Sequence, residues 1–193
     1  TSWNLVGSAI LGDKANDNLR INGQDIRAKV ISEGGNLGLS QLGRIEYAMH
    51  GGKVNTDFID NSAGVDCSDH EVNIKIALNS ATLSGKITMN ERNKILKQMT
   101  EHVEKLVLLD NRDQNLAITI SSSKAKHVES FAYLINTLES EGLLDSKVEF
   151  LPDKSEISRR IIAQEGMTRP ELAVLLSYTK MFLDKSLSST TFY

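Results

Sequence analysis

The sequence predicts a mainly α-helical chain with an α/β remnant at its front. Three observations lead there. Residues 28–32 and 53–59 are short apolar-leaning runs on either side of a helical segment, the spacing of one parallel strand–helix–strand crossover. Beyond position 68 strand signals become scarce, while Thr88-x-x-Glu91, Asp153-x-x-Glu156 and Thr168-x-x-Glu171 each spell a helix start. After each start, apolar residues recur at three- and four-residue steps.

Residues 1–11, T-S-W-N-L-V-G-S-A-I-L, have no period and no start signal. They begin without methionine and are expected to be a non-native or irregular front on a fragment of a longer protein. Residues 12–26 are rich in turn residues, with Asn22-Gly23 as a turn dipeptide and a short helical segment at 14–19. The run 28–32 reads as a buried strand, broken by Gly34-Gly35-Asn36. A helix is expected over 40–50, where Leu42, Ile45, Tyr47, Ala48 and Met49 interleave with polar residues and Gly51 takes the C-cap place. A second strand follows at 53–59.

Ser68-x-x-Glu71 reads as a capping box that opens the next helix. Val72, Ile74, Ile76 and Leu78 alternate as a strand would, but Val72, Ile76, Ala77 and Leu83 keep helical spacing. The capping box decides for a helix, ended by Gly85. From Thr88 the clearest helix follows, with Ile95, Leu96, Met99, Val103, Leu106 and Val107 on one face. Residues 115–120 are a separate short apolar stretch, interrupted by Ser121-Ser122-Ser123. Val128, Phe131, Ile135 and Leu138 mark another helix, closed by Gly142, and 143–152 connect it onward. Ile157, Ile161 and Ile162 belong to a helix that starts at Asp153 and stops at Gly166. In the last helix Pro170 stands early, where its missing amide costs nothing. Its apolar face is Leu172, Leu175, Leu176, Tyr178 and Phe182, and 186–193 read as a frayed tail. The domains so drawn are 12–68 and 69–185.

A net charge of −3 and a pI of about 5.8 leave no basic footprint for nucleic acid. No apolar run approaches the roughly 18 to 20 residues of a membrane span. Cys67 is the single cysteine and cannot form an internal disulfide, which suits a reducing, cytoplasmic setting.

The residues that could carry chemistry say little by themselves. Gly34, Gly35 and Gly38 do not spell G-x-G-x-x-G and read as turn glycines. Asn36 and Asn61 read equally well as turn residues. Among Asp66, Asp69, His70 and Glu71, only Asp66–His70 or Asp66–Asp69 nears the ligand spacing of a helix. The macrodipole explains acids at a helix start, so no metal is expected. His50, His102 and His127 read as surface or packing residues, and Cys67 lacks a histidine base nearby. A hydroxyl at a helix start beside loop asparagines can hold an anionic ligand, and composition names no activity.

The longer strings are more specific. I-S-E-G-G-N-L-G-L-S-Q-L-G-R-I-E-Y-A, G-G-K-V-N-T-D-F-I-D-N-S-A-G-V-D-C-S-D-H-E-V-N-I-K-I, G-D-K-A-N-D and M-T-R-P-E-L-A-V-L-L-S-Y-T-K resemble the large NAD-specific bacterial glutamate dehydrogenases. The resemblance runs from Gly12 to Leu183. It implies that residues 12–68 end a Rossmann-like dinucleotide-binding domain, followed by a helical C-terminal region. Smaller glutamate dehydrogenases carry E-G-A-N and N-A-G-G-V-x-V-S along the cleft, which E-G-G-N and N-S-A-G-V-D-C-S are similar to. The resemblance implies NAD as cofactor, with Gly35, Asn36 and Asn61 beside its nicotinamide end. It further implies that Val65 walls the substrate pocket and that Ser68 donates to the side-chain carboxylate of L-glutamate. The three side chains 36, 61 and 68 are then expected to converge on one cavity. Hydride would pass from Cα of glutamate to the nicotinamide, giving 2-oxoglutarate and ammonium. The family's acid–base lysine and aspartate, and its pyrophosphate turn, find no counterpart in this chain, so the chain alone is expected to be inactive. A homo-oligomer is implied for the full-length enzyme. The rival reading is a non-catalytic assembly module whose contact surfaces are helices 88–110 and 168–185.

Overall fold

The computed structural model describes residues 21–34, 38–123 and 127–189. The expected helix at 14–19, and Gly35 and Asn36, lie outside them. Seven α-helices occur among the described residues: α1 (Gln41–Met49), α2 (Asp57–Asp60), α3 (Ser62–Leu83), α4 (Met89–Ser122), α5 (Val128–Ser140), α6 (Lys154–Ala163) and α7 (Arg169–Ser188). A 3₁₀ turn at Gly23–Asp25 packs on α1.

Neither expected strand forms, so no Rossmann-like sheet is seen among the described residues. Their trace is one parallel bridge between Val30 and Lys53, in which Ile31 donates to the Lys53 carbonyl and Lys53 to that of Lys29. Val30 is 63% exposed and no further strand pairs with it among the described residues, and two strands alone do not make a stable sheet. The second run instead turns helical at Asp57, which carries Ile59 into complete burial.

Ser68 does not open a helix. α3 starts six residues earlier with Asn61 at its N-cap, a residue type suited to that place. Nothing in 62–67 stops propagation, and Glu71 pairs with Lys75 at 3.0 Å rather than turning back to Ser68. The stretch 115–120 is likewise part of α4. Its polar side chains fold onto preceding carbonyls, Thr119 onto Asn115 and Ser122 onto Thr119, so they do not break the helix. α6 ends before Gly166, because Gln164 takes the left-handed conformation at φ 56°. Residues 186–188 continue α7 rather than fraying.

Other starts and stops are as expected. Ser40 accepts the Gly43 amide, Asp153 accepts that of Glu156, and Thr88–Glu91 and Thr168–Glu171 are complete capping boxes. Gly51, Gly85 and Gly142 follow their helices with positive φ.

The core gathers α2, the end of α4, α5, α6 and α7 around Ile59, Ile118, Ile135, Leu138, Leu172 and Leu175. Its polar anchor is Arg160, whose guanidinium meets the buried Glu171 through two 2.8 Å bonds. Glu171 also receives the Thr168 amide at 2.7 Å, so one carboxylate caps α7 and ties α6 to it. α3 and the first part of α4 stand apart from this core as an antiparallel hairpin, cross-linked by Arg92 to Asn79 at 2.7 Å. Among the described side chains, α3 has no buried residue.

Candidate functional site

The start of α3 carries the sequence-predicted residues. Asn61, Val65 and Ser68 follow i, i+4, i+7 spacing and therefore share one face of the helix. Val65 is 58% exposed, Ser68 is exposed and Asn61 is half-buried. This face is open, and Val72 at 49% exposure extends it. Ser68 lies about 10 Å along the axis from Asn61 at 1.5 Å per residue. An anion at its hydroxyl would sit beyond the helix-end amides, whose field fades within the first turn. The hydroxyl and the helix terminus thus do not act on one point.

Gly64 explains how Asn61 is held. A Cβ at position 64 would lie 2.8 Å from Asn61 Oδ1, so the absence of a side chain leaves room for the carboxamide over the first turn.

The two asparagine-bearing bends are joined at their flanks. The Glu33 amide donates to Asp60 Oδ2 at 3.0 Å, one residue before Asn61. The Glu33 carboxylate is itself buried and ties Glu33 to Leu39 and Arg44. Its Oε1 accepts the Leu39 amide at 2.8 Å and its Oε2 meets Arg44 Nε at 2.6 Å. Arg44, buried on α1, also stands 3.2 Å from Asp57 at the head of α2. Asn36 is not among the described residues.

Asp60 is held in turn. Its Oδ1 accepts from Asn55 at 2.9 Å, and Asn55 also donates to Asn115 on α4. Arg169 at the head of α7 donates to Asn55, Thr119 and Asn115. Burial pushes its guanidinium below the ordinary arginine value, an effect the charge of Asp60 opposes. This node fixes the start of α3 against the core. Sequence reasoning missed Glu33, Arg44, Asp60 and Gly64 as positioning residues. A buried acid and base eleven residues apart in a glycine-rich context was the available signal.

The other polar groups are elsewhere. A groove of about 510 Å³ runs between α3 and α4, lined by Cys67, Ile74, Leu96, Val103 and Val107 among others. By helical spacing its α3 lining lies roughly a quarter turn round the helix from Val65 and Ser68. His50 caps α1, His102 is exposed on α4 and His127 precedes α5, all exposed. His70 faces Asp110 across the hairpin at 3.3 Å, with Asp66 Oδ1 at 3.7 Å. Burial and the neighbouring charge of Asp110 push the Asp66 carboxyl up. No helix among the described residues is long and apolar enough to cross a membrane.

Residues 6–121 match the family described as "Bacterial NAD-glutamate dehydrogenase, catalytic domain". The match begins ahead of Gly12, inside the segment set aside as irregular. The chain is 51% identical over 180 residues to an NAD-specific glutamate dehydrogenase of Pseudomonas aeruginosa, covering 93% of this chain and 11% of that protein. It is 48% identical to the NAD-specific glutamate dehydrogenase of Halomonas elongata, over 91% of this chain and 11% of the relative. For that of Mycobacterium tuberculosis the identity is 47%, over 94% and 11% respectively. The chain therefore spans about a ninth of the length of these relatives.

Proposed function

Because the chain belongs to the bacterial NAD-glutamate dehydrogenase catalytic-domain family, we propose that it supplies part of the cofactor and substrate cleft of an NAD-dependent glutamate dehydrogenase. The observation that carries this reading is the Glu33–Asp60 bond, which fastens Glu33, the first residue of the E-G-G-N string, beside the start of α3. In this proposal Gly35, Asn36 and Asn61 lie against the nicotinamide end of NAD. Val65 walls the substrate pocket, and Ser68 donates its hydroxyl to the side-chain carboxylate of L-glutamate. The hydroxyl acts there as a single neutral donor. The charge that balances that carboxylate comes from outside this chain.

Residues 12–68 then close a Rossmann-like cofactor domain whose sheet is completed by other parts of the longer enzyme, and the Val30–Lys53 bridge supports that placement. The open face of α3 is where those parts would cover the substrate. A reducing, cytoplasmic location and a homo-oligomeric enzyme belong to the same proposal. The acid–base groups lie outside this chain, so the isolated 193 residues are expected to show no glutamate-dependent NADH formation.

The test places Asn61→Ala and Ser68→Ala in an enzyme of the relatives' full length. Loss of turnover with assembly intact supports the proposal. Lost assembly with turnover per assembled enzyme unchanged would favour an interaction module instead.

A further inference from the structure

We propose that Asp66, His70 and Asp110 form a binding site for a divalent first-row transition cation, of the Zn²⁺ type, that braces α3 against α4. Sequence spacing offers only Asp66 and His70, which are i, i+4 on α3. Asp110 arrives from α4, forty residues beyond His70, and completes a set of one imidazole and two carboxylates.

One ligand atom from each residue lies within 4.8 Å of the other two. His70 Nε2 is 3.3 Å from Asp110 Oδ2 and 3.7 Å from Asp66 Oδ1. Oxygen and nitrogen ligands held about 2.0–2.2 Å from a tetrahedral ion stand roughly 3.3–3.6 Å apart, so small side-chain shifts close the set. A fourth position stays open for water. Imidazole with carboxylates suits zinc, iron or nickel better than the all-oxygen shells of calcium or magnesium.

A second observation points the same way. Asp66 Oδ2 is a buried atom on a side chain that is 25% exposed, and it has no hydrogen-bond partner among the described residues. A buried carboxylate oxygen without a donor, beside a second carboxylate, carries negative charge that the protein leaves uncompensated. One imidazolium can meet only part of it, whereas a divalent ion meets both acids at once. Cys67 is next in sequence but turns into the α3–α4 groove, so the site is built without a thiolate.

Titration calorimetry of the 193-residue chain with Zn²⁺ tests the site. The expected result is one ion per chain, with affinity at least tenfold lower in both His70→Ala and Asp110→Asn and unchanged in Cys67→Ser. Helicity by circular dichroism establishes that each variant is folded. Co²⁺ loaded on the wild-type chain gives a readout that needs no variant. Visible d–d bands without a thiolate charge-transfer band are expected. Absence of stoichiometric Zn²⁺ binding, a thiolate band, or binding undiminished in folded His70→Ala and Asp110→Asn would overturn the proposal.

Discussion

The backbone amide of Glu33 donates to Oδ2 of Asp60 at 3.0 Å, and this bond joins two bends that lie 27 residues apart. The same carboxylate receives Asn55, which reaches α4 and α7 through Asn115 and Arg169. Asp60→Ala removes one acceptor from two partly buried donors at once. Each donor left unsatisfied costs about 1–3 kcal/mol. Urea unfolding should therefore show a loss of about 2–4 kcal/mol, well above that of an ordinary surface substitution.

Glu33 is the second clamp. Its side chain and that of Arg44 are 4–5% exposed, and they meet at 2.6 Å. Removing one member of a buried pair strands the other charge, at about 3–5 kcal/mol. Arg44 keeps Asp57 at 3.2 Å, so Glu33→Ala should cost the lower end of that range, about 3 kcal/mol, in chemical denaturation, whereas Lys75→Ala, half of an exposed pair, should cost less than about 1 kcal/mol.

Gly64 separates stability from function. Alanine there meets the end of the Asn61 side chain, which must shift to make room. Alanine also favours helix over glycine by up to about 1 kcal/mol. The two effects oppose one another, so Gly64→Ala should change the melting temperature little. Turnover of the full-length enzyme should still fall, because Asn61 is displaced. Thermal melting and steady-state rates on one preparation check both halves.

Acid stability should report on Glu156. Hydrogen bonds from Arg159, opposed by burial and joined by those from Arg160, hold its carboxyl at about 2, against an ordinary 4.5. The folded value lies below the unfolded one, so the unfolded chain binds the extra proton between them. This contribution is complete above about pH 4.5 and is lost as pH falls towards 2. Glu91, Asp153 and Glu165 are shifted down as well and act in the same direction. Melting temperatures from pH 6 to 2 should fall less steeply for Glu156→Gln than for the parent chain.

Much of the helical architecture was legible because its signals are local. The capping boxes at Thr88 and Thr168 need only four residues each, and the faces of α4, α5 and α7 need only their own periodicity. The start of α3 was misread for a related reason. Ser68-x-x-Glu71 matches a capping box as well as the true ones do, and only the chain before it shows that the helix is already under way. The α3 run is apolar on several faces, and all of them are at least partly exposed here, so periodicity could not mark a buried side. The strands failed because an extended run becomes a strand only when a neighbour pairs with it. At the site, the family motifs were visible as strings. Glu33, Arg44 and Asp60 were not, since their role depends on contacts across 11 to 27 residues.

The central claim is that the open face of α3 reads both cofactor and substrate, with Asn61 at one and Ser68 at the other. Separate Michaelis constants for the two ligands, measured on Asn61→Ala and Ser68→Ala in the full-length enzyme, test it most directly. A lost hydrogen bond to a charged group is worth about 1.5–3 kcal/mol. Ser68→Ala should raise KM for L-glutamate roughly ten- to a hundredfold and leave KM for NAD nearly unchanged, while Asn61→Ala should act mainly on NAD. Unchanged constants for both ligands in both folded variants would contradict the assignment.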